Sequence, residues 1–224
     1  MRRTLLLTGF EPFGGDRFNP SGEIARAVDG IALPGGATIC SLILPVSGPS
    51  AWQKLSRAIR RIEPRWIIAT GVSGRSEISV ESTAWNEDDY RIPDNSGHQP
   101  RSTPILSRGP AKLATGLTPA PPLTENLCRT LPIRPSTDPG RYVCNHLYYR
   151  LLHLTKSPAH LSHGRALFLH LPCTLEMRRG PDDTRFFHPL EDLRELVLGM
   201  LGGIAKEQST RWTAAISSAS APLR

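Results

Sequence analysis

The sequence predicts an α/β fold: a single α/β/α domain over residues 1–208, with a mostly parallel twisted sheet covered by helices on both faces. Three observations carry that expectation. Thr4 to Phe10, Ala37 to Leu44 and Trp66 to Ala69 are short, continuous apolar runs, the pattern of strands buried on both faces. Both intervals between them hold a segment with apolar residues at helical spacing. Strands that alternate with helices are joined by right-handed crossovers, which make neighbouring strands parallel and lay the helices on the sheet.

The first strand ends at Gly9 and runs into the Gly- and Pro-punctuated loop Glu11 to Phe18. Phe10, Phe13 and Phe18 are costly to leave in water on such a connection, so they are expected to line an apolar pocket or to plug the end of the core. Asn19-Pro20-Ser21 opens a helix, with Asn19 as its cap and Pro20 at the first helical position; Ile24, Ala27 and Val28 form its apolar face and Gly30 stops it. After the second strand, Gly48-Pro49-Ser50 turns into a helix whose face is Trp52, Leu55, Ile59 and Ile62. The third strand closes at Thr70-Gly71. Its following loop, Gly71 to Arg75, shares with Gly9 to Phe18 the carboxyl edge of the sheet, where ligands collect in folds of this kind.

Ile78 to Asn86 alternates as an extended segment with Glu81 in its middle, a carboxylate either exposed or in want of a partner. The turn-rich stretch Asp88 to Gly97 brings Arg91 together with acids. It has no His or Cys at ligand spacing, so hydrogen bonding within the loop is expected rather than a metal. His98 to Pro121 reads as irregular, a candidate flap, Leu123 to Leu131 as a short helix, and Pro132 to Gly140 as a connection. Tyr142-Val143-Cys144 looks extended and runs into a helix marked by Leu147, Leu151 and Leu152, which puts Cys144 at or just before a helix N-terminus. Arg165 to Leu171 is a buried strand with His170 at its carboxyl end. A last helix carries Leu190, Leu193, Val197, Met200, Leu201 and Ile204, and residues 209–224 are expected to fray.

Composition narrows the function classes. The net charge is +7, but only four of 27 basic residues are lysines and the arginines are scattered, so no nucleic-acid partner is expected. The densest group, Arg57, Arg60, Arg61 and Arg65, reads as a solvated helix face. No apolar run reaches the roughly 18 residues of a membrane span. Cys40, Cys128, Cys144 and Cys173 lack paired spacing, which argues against a zinc ribbon or a disulfide framework and for a reducing cytoplasm. No Gly-rich phosphate loop is present, and no cofactor is expected.

A thiol at a helix start is where a nucleophile would sit, because backbone N–H groups and the helix dipole favour thiolate there. Such a nucleophile needs a base, an orienter for that base and donors for an oxyanion. Cys144, His170 and Glu81 are candidates for the first three roles, with the Cys144 backbone N–H and Arg91 for the last. With seven histidines in the chain, spacing alone leaves other bases open; His146 is near the thiol but is expected to point elsewhere on its helix.

Four stretches then carry a resemblance: TGFEPFGG with NPS at residues 8–21, GR with Glu81 and NEDDYRIPDN at 74–95, YVCNHLYY at 142–149, and FLHLP at 168–172. In this order they resemble the pyroglutamyl peptidase I, or pyrrolidone-carboxylate peptidase, family. The resemblance implies a Glu81, Cys144 and His170 triad and an aromatic pocket from Phe10 and Phe13, with Tyr142 where the family usually has Phe. It implies a cytoplasmic homo-oligomer, tetramer or dimer, that removes N-terminal pyroglutamate from peptides without cofactor or metal. The chain departs at Gly71, a substrate-site position where Gln is usual. Two alternatives stand beside this reading: a same-fold cysteine amidase with shifted acyl specificity, and a non-catalytic basic binding protein.

Overall fold

Six strands build the central sheet of the computed structural model, which describes residues 3–115, 131–156 and 165–206. In chain order the strands are β1 (Arg3–Phe10), β2 (Ala37–Leu44), β3 (Trp66–Val72), β4 (Ile78–Glu81), β5 (Thr83–Trp85), β6 (Lys112–Ala114), β7 (Ile133–Ser136), β8 (Arg165–Leu171), β9 (Cys173–Thr174) and β10 (Phe187–His188). The helices are α1 (Pro20–Ala27), α2 (Gly48–Ile62), α3 (Val143–Lys156) and α4 (Leu190–Lys206). The sheet order is β2-β1-β3-β8-β4-β7, parallel throughout except where β4 runs antiparallel to β8. This is the α/β architecture that the apolar runs predict.

Side-chain alternation along the strands divides the interior into two layers. On one face Leu5, Leu7, Ile68, Val80, Leu167 and Leu169 pack with Ile24 of α1, with Val28 that caps its C-terminus, and with Leu193, Val197 and Met200 of α4. On the other, Leu6, Ile67, Ala69 and Phe168 pack with Leu55 and Ile59 of α2 and Leu147 and Leu151 of α3. The helix starts follow the expected grammar. Asn19 caps α1 by accepting from the Ser21 N–H, and Pro20 sits in the first turn.

Three segments differ from the sequence expectation. Ile78 to Asn86 is not one strand: it breaks at Ser82, so that β4 joins the main sheet and β5 pairs with β6 outside it. Ile133–Ser136 is a strand although it contains Pro135; it is the sheet's edge, where a missing N–H costs no ladder bond. Gly71 belongs to β3, one residue before its end, rather than to the loop. The expected helix at Leu123 to Leu131 falls, except for Leu131, outside the described residues, as does the 209–224 tail.

The excursion between β5 and β6 is fastened to α3. Asn145 accepts from the Trp85 N–H and donates to the Trp85 and Glu87 carbonyls, while the Tyr142 and Tyr149 hydroxyls donate to the Pro93 and Pro110 carbonyls. Its described residues buttress the helix that carries Cys144, an arrangement unlike a free flap; residues 116–121 of the expected flap lie outside the described residues. Among the described residues no helix is long and apolar enough to cross a membrane.

Candidate active site

Cys144 is the second residue of α3, and its Sγ lies 2.8 Å from where a Cβ on Gly71 would sit. Gly71 is the register partner of His170 across the β3–β8 pair. The thiol therefore rests on the floor of the sheet beside the imidazole, and the absent side chain at 71 leaves the space it occupies. On β4, Glu81 faces Phe168, two residues before His170 and on the same side of the sheet. That diagonal lets its Oε1 meet His170 Nδ1 at 2.8 Å.

Glu81 is fully buried, and Arg75 shares its charge: Nη1 donates to Glu81 Oε1 at 2.9 Å and Nη2 to the Asp138 carbonyl at 2.6 Å. Desolvation pushes this carboxyl up, but the His170 hydrogen bond and charge, with Ser136 and Arg75 behind them, outweigh it and hold the pKa below the usual value. The hydrogen bond at Nδ1 leaves Nε2 as the ring nitrogen free for chemistry. Burial pushes the Cys144 thiol up to about 12, the Glu81 charge adds to the rise, and only the residue's own backbone N–H pulls it down. The expectation of a stabilised thiolate is thus reversed: the thiol opens on a cavity on one side, and the protein packed around its other sides outweighs the helix N-terminus.

That cavity, about 420 Å³, is lined by Phe10, Phe13, Val46, Val72, Tyr142 and Val143 on its apolar side, with Cys144 and His170 in its wall. Phe13 and Tyr142 stack with ring centroids 5.9 Å apart, and Tyr90 supports Tyr142 from behind at 4.7 Å. Phe10 is held by its N–H donating to Ser21 Oγ, which in turn donates to the capping Asn19. Phe18 borders a separate depression with Arg17 and Glu176. Among the described residues no acidic side chain lines the cavity.

Two expected site residues sit differently. Gly71 lies behind the thiol, and the neighbouring stretch that lines the cavity is Val72, Ser73 and Gly74. Arg91 lies in a wider adjoining cleft, not in the wall around Cys144. His146 points away from the thiol, as expected, and pairs with Asp88 at 2.7 Å; Asp88 is thereby bound to α3 and not only within its own loop. Sequence reasoning missed Arg75. Its signal was available, since a carboxylate in the middle of a strand needs a counter-charge and Arg75 lies six residues upstream on a loop at the same sheet edge.

The sequence model of the pyroglutamyl peptidase family matches residues 3–186 of the chain. The pyrrolidone-carboxylate peptidase of Chromobacterium violaceum is 42% identical over 172 residues, covering 76% of this chain and 78% of the relative. That of Klebsiella pneumoniae is 41% identical over 169 residues, with coverages of 75% and 77%. Among solved structures, pyroglutamyl peptidase I of Bacillus amyloliquefaciens superposes with a TM-score of 0.83 at 33% identity, covering 92% of this chain and 98% of that one. The pyrrolidone carboxyl peptidase of Thermococcus litoralis superposes with a TM-score of 0.80 at 31% identity, covering 90% and 92%.

Proposed function

The chain belongs to the pyroglutamyl peptidase family, and from that premise we propose that Cys144, His170 and Glu81 perform the family's reaction here, removal of an N-terminal pyroglutamyl residue from peptides. One observation carries the assignment of roles: thiol and imidazole open into the same apolar cavity, with a buried carboxylate 2.8 Å behind the imidazole. Since Cys144 rests protonated, attack on the pyroglutamyl carbonyl is coupled to transfer of its proton to His170 Nε2. Glu81 holds Nδ1–H, fixes the tautomer and stabilises the imidazolium that forms. The backbone N–H of Cys144, in the first turn of α3, donates to the developing oxyanion. His170 then protonates the leaving amine, and water hydrolyses the thioester with His170 as base.

The cavity suits the acyl group. Pyroglutamate has no free α-amine, and a wall without a carboxylate offers nothing to a cationic N-terminus. Phe10, Phe13 and Tyr142 can cover the two faces of a small lactam, and backbone groups of the Val72 to Gly74 stretch can meet its N–H and C=O. Release of coumarin from a pyroglutamyl-coumarin amide tests the assignment. Wild type is expected to release it and Cys144→Ala and His170→Ala not to; equal release by Cys144→Ala would sink it. A homotetramer or dimer, to be measured by light scattering, and a reducing cytoplasm that keeps Cys40, Cys144 and Cys173 as free thiols complete the proposal.

A further inference from the structure

Resting on that reading of the Cys144 cavity, we propose that the wide cleft beside it receives the leaving peptide and that Arg91 selects a carboxylate on the residue following pyroglutamate. The cleft measures about 1010 Å³ and shares Phe13, Val72, Ser73 and Gly74 with the smaller cavity. When the acyl half of a substrate fills the apolar cavity at the thiol, the chain beyond the scissile bond crosses this shared rim.

The charges in the cleft are unequally committed. Arg179 ion-pairs with Asp16 at 2.8 Å and donates to the Gly14 carbonyl, and Arg185 holds Asp183 at 2.6 Å and the Met177 carbonyl. Arg179 thus joins two segments of the cleft's wall and Arg185 braces the Met177 to Arg185 turn, and both carry a carboxylate partner. The Arg91 guanidinium is exposed and has no hydrogen-bond or ion-pair partner among the described residues; only its backbone carbonyl is engaged, by the Gln99 side chain. Its field reaches the hydroxyl of Tyr142, where it opposes the rise caused by burial and by Asp94 and Cys144. Arg91 lines the cleft together with Phe13, Val72, Ser73 and Gly74, the residues that the cleft shares with the thiol's cavity. Asp182, on the turn after Met177, is the other charge in the cleft's lining without a partner among the described residues.

An unpaired guanidinium at the rim favours an anionic group just past the scissile bond and discriminates against a cation there. The probes are two amidated dipeptides, pyroglutamyl-glutamate amide and pyroglutamyl-glutamine amide, which differ only in that carboxylate. The readout is the ratio of their kcat/KM values. Wild type is expected to prefer the glutamate peptide roughly threefold to tenfold at low salt, with the preference shrinking as ionic strength rises. Arg91→Gln is expected to bring the ratio to about one and Arg91→Glu to invert it, with Arg91→Lys keeping part of it and circular dichroism verifying the fold of each. A wild-type ratio of one or less overturns the proposal. So does an Arg91→Gln variant that loses rate equally on both peptides, which would place Arg91 at the oxyanion instead. If wild type cleaves neither peptide, the peptidase reading of the site has failed, an outcome distinct from cleavage without preference.

Discussion

Gly71→Ala tests the packing beneath the nucleophile. A Cβ at 71 would lie 2.8 Å from Cys144 Sγ and 3.1 Å from Phe168 Cζ. The thiol contact falls about 0.6 Å short of ordinary van der Waals distance, so Sγ must retreat or β3 and α3 must part. Phe168 is fully buried and also packs on Tyr148 and His170, which leaves the thiol as the group that gives way. Overpacking of this kind costs about 1–3 kcal/mol, and in a domain of this size that lowers Tm by roughly 2–12 °C. Misplacing a nucleophile by most of an ångström costs on the order of a hundredfold in rate. The assay is release from a pyroglutamyl-coumarin amide alongside thermal unfolding. A kcat within threefold of wild type would refute the idea that an empty position 71 seats the thiol, and a large loss of kcat with unchanged KM would support it.

Other consequences follow from the same geometry. Glu81→Gln should lower kcat by roughly 10²–10⁴-fold while the fold persists, because the amide cannot stabilise the imidazolium; near-normal turnover would remove Glu81 from the mechanism. The Glu81 carboxyl is held below its ordinary value of 4.5, so its contribution to stability is present above that pH and lost as pH falls through the depressed value. Acid unfolding should therefore be less steep in Glu81→Gln, as urea midpoints at several pH values would show. For Cys144 the sign is opposite: with a folded value near 12 against 9.0 unfolded, its stabilising share is complete below pH 9 and lost between 9 and 12. Iodoacetamide labelling at Cys144, read by peptide mass spectrometry, should be slow at neutral pH and accelerate only in strong alkali; a labelling midpoint below pH 8 would contradict the burial argument. Asp88→Ala should cost roughly 1–3 kcal/mol by leaving His146 Nδ1 without its hydrogen-bond partner, and unchanged denaturant stability would show that this pair does not anchor α3.

The apolar runs at Leu5 to Leu7, Ile67 to Ala69 and Leu167 to Leu169 were legible as strands because two-sided burial leaves no polar residue to interrupt them. The caps of α1 were legible for an equally local reason, since Asn19 satisfies an N–H only two residues away. Positions that answer to distant neighbours were not. Ser82 breaks the β4–β5 segment because β4 follows β8 and β5 follows β6, and neither partner is near it in the chain. Arg75 acquires its role only when Glu81 and Asp138 arrive beside it.

By itself the sequence determined the fold class and the kinds of residue available for chemistry: a thiol at a helix start, a histidine at a strand end and a carboxylate in mid-strand. Those features depend on hydrophobic period and capping, which act over a few residues. The tertiary structure decided which nitrogen of His170 faces Glu81, that the space at Gly71 is taken by the thiol, that Arg91 lines the adjoining cleft and not the thiol's cavity, and that burial opposes ionisation of Cys144. Each of these turns on distances between segments tens of residues apart and on the water their packing excludes, quantities that a linear pattern does not carry.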